Sequence, residues 1–139
     1  MAAEAEQCLV HYADSARVAR GRAFLLPDET YANIAEIFRA LADATRAKIV
    51  YSLLQQDLCT CDLAAITGSS ESSVSQHLRM LRQLRLVKSY RRGKLVFYQL
   101  DDAHISLLLA VCLGHVRDGD KGHDALEPLV AHFAQGDRA

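Results

Sequence analysis

The sequence predicts a mainly helical domain closed by one small β-hairpin. Three observations predict it. Four segments between residues 28 and 84 carry apolar residues at helical spacing. Two short β-prone runs then flank a basic tip with a turn glycine at 91–94. A last apolar helical segment follows from residue 103. The 139 residues amount to one domain, long enough to bury a core. Half of them are apolar and about a quarter charged, as in a soluble globular protein. No apolar run approaches the ~18 residues a membrane span needs. The opening MAAEAEQCLV lacks a basic region followed by an apolar core, so no secretory leader is expected and the cytoplasm is the expected location. There, four cysteines read as thiols or metal ligands rather than structural disulfides.

The elements follow in order. Residues 1–27 form an arm, partly helical or mobile, with Arg17, Arg20 and Arg22 clustered in it. Asp28 can cap a helix that begins near Glu29 and carries Ile34, Ile37, Phe38 and Leu41. Asp43 caps a second helix with Ile49, Val50, Leu53 and Leu54. A short third helix holds Leu63, Ala64 and Ile66 and stops at Gly68. Ser69 or Ser70 caps the fourth, which turns Val74, Leu78, Leu81 and Leu84 inward. Val87–Tyr90 and Leu95–Leu100 are the strand runs around Arg91, Arg92, Gly93 and Lys94. Asp101 or Asp102 caps the last helix, with Ile105, Leu108, Leu109 and Cys112 on its apolar side and Gly119 and Gly122 at its end. Residues 28–119 are thus the folded domain, and 120–139 a tail interrupted by Pro128. Core helices followed by a basic hairpin make a winged helix-turn-helix.

Charge gives this fold a use. The formal net charge is only −1, but there is no Asp or Glu between Glu71 and Asp101. That window holds Arg79, Arg82, Arg85, Lys88, Arg91, Arg92 and Lys94. From Asp101 onward the chain carries seven acids against three bases. Segregation of this kind reads as an anion-binding face on a neutral protein, and a merely solvated basic helix is the plain alternative. The fourth helix would enter the major groove of double-stranded DNA. Its N-terminal amides and the hydroxyls of Ser72, Ser73 and Ser75 would meet phosphates. Gln76 and Arg79 would reach base edges, with His77 and Arg82 beside them. Arg91, Arg92 and Lys94 on the wing would contact backbone phosphates, adding affinity and salt dependence more than sequence choice.

Four stretches now carry a resemblance: ALADATRAKIVYSLL, LCTCDLA, SSVSQHLRMLRQLRLVKSYRRGKLVFYQL and the Asp-x-His…His-x-x-Asp of the last helix. Together they resemble the ArsR/SmtB family of metal-sensing winged-helix repressors, from about Ala32 to Asp118. The resemblance implies a homodimer, joined through terminal helices, that binds operator DNA without metal and releases it when metal binds.

Two ligand sets accompany it. Asp102 and His104 open the last helix, and His115 and Asp118 share a face near its end. Eleven residues separate the histidines, ~16 Å along a helix. Ligands to one Zn²⁺ must all lie about 2.0–2.2 Å from it. One straight helix cannot close such a site, but two antiparallel copies can. The set matches the family's dimer-interface site, and its two N and two O donors suit tetrahedral Zn²⁺. Solvated polar residues on an exposed helix are the alternative.

The second set centres on Cys59 and Cys61. On a regular helix these would point about 200° apart, whereas at a loop-to-helix junction they can converge. Two thiolates leave a soft ion short of ligands. The resemblance implies an N-terminal arm that completes the site, often from the opposite subunit. Here the arm offers Cys8 and His11, and a Cys₃His set suits Zn²⁺ or Cd²⁺, or Pb²⁺ or Cu⁺ through the thiolates alone. Cys112 is expected as a buried core thiol. His123 and His132 are expected to be solvated.

No nucleophile–base pair or phosphate-cradling glycine loop is present, so no enzyme is expected. Two rival readings use the same thiols. One is a regulator switched by disulfide formation at Cys59 and Cys61, or at Cys8, for which the His and Asp pairs have no use. The other is a metal-buffering protein without gene control, against which the basic wing speaks.

Overall fold

The chain is described by a computed structural model over residues 8–118, with Asp118 described through its backbone alone. Expectations for Gly119, Gly122, His123, Pro128, His132 and the 120–139 tail lie outside the described residues. The described chain falls into two units, one ending at Ala35 and one beginning at Glu36.

In the first unit a helix, α1 (Ser15–Ala23), stands where an arm, partly helical or mobile, was expected. Asp14 caps it, its carboxylate accepting the Arg17 N–H at 2.8 Å. Arg20 and Arg22 in the last turn oppose the negative end of the helix dipole. No α1 residue is buried. A second helix, α2 (Asp28–Leu41), starts in this unit and ends in the next. Asp28 is its first residue rather than its cap, and Thr30 N–H donates back to the Pro27 carbonyl at 2.9 Å.

The second unit continues with α3 (Ala44–Leu53), β1 (Leu58–Cys59), α4 (Thr60–Thr67), α5 (Glu71–Gln83), β2 (Val87–Arg92), β3 (Leu95–Leu100) and α6 (Ala103–Asp118). The sheet order is β1-β3-β2, and both pairings are antiparallel. Arg92 pairs with Leu95, so Gly93 and Lys94 alone form the hairpin turn, with Gly93 at φ 63°. The core gathers Ala40 from α2, Ile49, Val50 and Leu53 from α3, and Leu63 and Ala64 from α4. Val74, Leu78 and Leu81 of α5, with Leu86, Val87 and Ile105, complete it. This is a winged helix-turn-helix: α4 and α5 pack as the helical pair, and β2–β3 is the wing.

Short-range chemistry sets most boundaries. Gly68 ends α4 in the left-handed region at φ 70°, and Ser70 caps α5 by accepting the Ser73 N–H at 3.1 Å. Asp102 caps α6, accepting from His104 N–H at 2.9 Å and Ile105 N–H at 3.4 Å. Cys112 corrects an expectation, because it is exposed rather than buried. α6 meets the core through its first half, Ile105 and Leu109, and position 112 lies a turn beyond.

Asp43 caps α3, accepting the Arg46 N–H at 2.9 Å. That bond holds its carboxyl below the ordinary value of 3.8, with the nearby Arg46 and His77 charges adding to it against some desolvation. A folded-state value below the unfolded one adds stability above pH 3.8 and loses it as the pH falls through the lowered value. Asp43→Asn keeps a capping oxygen without the titration. Circular dichroism between about pH 5 and pH 2 should therefore show the variant losing less stability on acidification than the wild type. Equal acid sensitivity would contradict the cap's role.

Candidate functional site

α5 separates its faces cleanly. Val74, Leu78 and Leu81 are fully buried, while Ser72, Ser75, Gln76, Arg79 and Arg82 are exposed. Ser73 is half-buried, its N–H held by Ser70. His77 is also half-buried, and its Nδ1 lies 3.4 Å from Arg46 Nη1. Arg46 also donates to the Ala40 and Arg39 carbonyls, so this guanidinium ties the end of α2 to α5. Arg46 is little marked in the sequence. Its signal there was only an arginine three residues after the capping Asp43.

On the wing, Arg91, Arg92 and Lys94 are exposed. Arg91 and Arg92 belong to β2 itself rather than to the turn, which fixes their direction by strand register. Tyr90 and Phe97 are cross-strand partners whose rings stack at 5.7 Å and 16°. The Tyr90 hydroxyl donates to Asp57 Oδ2 at 2.7 Å. That carboxylate raises the phenol above its ordinary value, with desolvation adding and Arg92 opposing.

The thiol pair sits where a strand becomes a helix. Cys59 ends β1 and caps α4, and its N–H donates to the Asp62 carboxylate at 3.2 Å. Cys59 is buried and Cys61, in the first turn of α4, is exposed. The Glu71 carboxylate beside Cys61 pushes its thiol up, and the Cys59 thiol adds to this. The two thiols and the first residue of α5 are therefore neighbours. Glu71 also escaped the sequence reading, where it marked only the edge of the acid-free window.

Asp102 and His104 stand together at the start of α6, with Asp102 Oδ1 3.4 Å from His104 Nδ1. His115 is exposed in the last turn, and Asp118 closes the helix. Cys8 and His11 are exposed in the first unit. Among the described residues no three His, Cys, Asp or Glu side chains gather to hold an ion. Among the described residues, Asp102 stands beside His104, and Cys59 and Cys61 lie together at the start of α4. No helix among the described residues is long and apolar enough to cross a membrane.

Residues 43–89, from the Asp43 cap into the wing, match the family described as bacterial regulatory protein, arsR family. The chain is 40% identical over 114 residues to a cadmium resistance transcriptional regulatory protein CadC homolog of Staphylococcus aureus, covering 81% of this chain and 93% of that one. The chain belongs to the ArsR family. It is also 46% identical over 87 residues to a transcriptional repressor SmtB homolog of Synechocystis, across 63% of this chain and 66% of the relative. The homodimeric winged helix-turn-helix domain of Mb0332 from Mycobacterium bovis, a possible ArsR-family transcriptional regulator, superposes with a TM-score of 0.61 at 25% identity. That match covers 69% of this chain and 88% of the other. As an ArsR-family member the chain is a DNA-binding transcriptional regulator and not an enzyme.

Proposed function

We propose that this ArsR-family chain is a metal-responsive repressor that grips operator DNA as a metal-free homodimer and releases it when zinc- or cadmium-type ions bind. The observation that carries the reading is the place of the thiol pair, at the start of α4, the helix that packs against the DNA-reading α5. Ser72, Ser73, Ser75, Gln76, His77, Arg79 and Arg82 serve the groove and its flanking phosphates, and Arg91, Arg92 and Lys94 the backbone.

The donor chemistry fits metal. Cys59 and Cys61 offer two thiolates to a soft cation, and the chain's own further donors of suitable type are Cys8 and His11. Each thiol gives up its proton on ligation. At α6, Asp102 and His104 of one subunit with His115 and Asp118 of the partner subunit supply the tetrahedral N₂O₂ set of a zinc site. Dimer symmetry gives two copies of each set. Metal weakens DNA binding if the ligated geometry belongs to the DNA-incompetent state, and DNA then weakens metal binding by the same factor.

The test uses a duplex selected from a random pool by the metal-free protein. Fluorescence anisotropy should show tight binding that weakens about 5- to 150-fold on adding Cd²⁺ or Zn²⁺. Operator affinity unchanged by either ion would refute metal sensing, and no selected duplex at all would favour the buffering alternative.

A further inference from the structure

The wing is tied to the thiol pair by a connection that the DNA-reading and ligand sets do not use. β1 is only Leu58–Cys59, and it pairs with β3 so that Cys59 lies opposite Phe97. Phe97 in turn lies opposite Tyr90 of β2. Cys59, Phe97 and Tyr90 therefore form one row across the sheet, and residues in a row share a face. Tyr90 stacks on Phe97 at 5.7 Å. Its hydroxyl then reaches back to Asp57, two residues before Cys59, at 2.7 Å. The row closes on itself, from Cys59 through Phe97 and Tyr90 to Asp57 and back along the chain to Cys59. The next residues of β2 are the exposed Arg91 and Arg92.

We infer that Tyr90 and Asp57 are positioning residues that transmit ligation of Cys59 to the wing. The inference rests on the metal-responsive reading and adds the route. A backbone shift at Cys59 carries Asp57 with it, because only Leu58 separates them. Asp57 holds the Tyr90 hydroxyl, and Tyr90 fixes the strand position from which Arg91 and Arg92 project. The ring stack alone resists compression of the row. The hydroxyl–carboxylate bond adds a directional link, because it weakens steeply as its angle departs from linear. Without it the β1 end can move while the wing stays on DNA.

Three variants of the full-length protein test this: Tyr90→Phe, Asp57→Ala and Asp57→Asn. Tyr90→Phe removes one oxygen and keeps the ring stack. Asp57→Asn keeps an acceptor for the hydroxyl, and Asp57→Ala does not. Each is titrated with Cd²⁺, following thiolate-to-metal charge-transfer absorption and, separately, anisotropy of the selected duplex. All three should match the wild type in Cd²⁺ stoichiometry and keep metal-free DNA affinity within about twofold. Tyr90→Phe and Asp57→Ala should lose at least about fivefold of the Cd²⁺-induced weakening, taking the lower end of usual coupling as the yardstick. Asp57→Asn should retain it. Wild-type release in Tyr90→Phe would overturn the route while leaving metal sensing intact. Equal loss in Asp57→Asn and Asp57→Ala would overturn it in favour of a role for the carboxylate charge. A wild type that binds Cd²⁺ but keeps its DNA would sink the underlying reading and the route together.

Discussion

Leu78→Ala should destabilise the domain by about 2–5 kcal/mol, measured as a lower midpoint at unchanged slope in urea unfolding. Leu78 is fully buried on α5 between Val74 and Leu81, both also fully buried. α5 packs against α4 and β2. Alanine there leaves a cavity in the core cluster that Leu78 belongs to. Small domains are stable by about 5–15 kcal/mol, so this one side chain accounts for a large share. Ser75→Ala, on the exposed face of the same helix, should change stability by no more than about 0.5 kcal/mol. A Leu78→Ala cost under about 1 kcal/mol would mean that α5 is not seated as described.

The contrast between those two positions was readable in advance, because apolar spacing at helical period marks a buried stripe wherever a helix is long enough. Asp43, Gly68 and Ser70 were readable for a similar reason, since each acts on backbone groups within five residues of itself. Other elements lacked any such local signal. β1 has two residues and no alternation, and it exists only because β3 offers it a partner. α1 has no apolar stripe and no buried residue, so periodicity said nothing. α5 ends at Gln83, and just beyond its cap Arg85 holds φ 58° where glycine would be the usual sign of a stop. The Leu86 N–H still reaches the Leu81 carbonyl at 2.9 Å, closing the helix without that glycine.

The candidate site divides along the same line. Ligand types, the basic face and the turn glycine are properties of residue identity. The Glu71–Cys61 and Tyr90–Asp57 contacts are tertiary, the latter spanning 33 positions, and no local rule reaches that far. Cys112 shows the converse error. Its spacing matched the buried stripe, but α6 meets the core at Ile105 and Leu109, and Cys112 beyond them is exposed.

Cys61→Ser should abolish release of DNA by Cd²⁺, removing the whole coupling of about 1–3 kcal/mol and leaving operator affinity the same with or without the ion. Cys61 is the better residue to change, because its exposure decouples ligation from folding. Cys59 is only 7% exposed, so serine there would bury a hydroxyl and could cost about 1–3 kcal/mol if it found no partner. Loss of response in Cys59→Ser would then mix two causes, whereas in Cys61→Ser it has one. A hydroxyl at 61 is a poor ligand for a soft ion, and the remaining thiolate, even joined by Cys8 and His11, leaves a weaker site. Measurement under a phosphine reductant separates metal sensing from disulfide switching, since the oxidation reading predicts no release by Cd²⁺ when disulfides cannot form. His104→Ala provides the internal comparison. It should weaken Zn²⁺ binding at the α6 set while leaving the Cd²⁺ response through the thiols. Full Cd²⁺ release in Cys61→Ser, together with its loss in His104→Ala, would move the switch from the β1–α4 junction to the ends of α6.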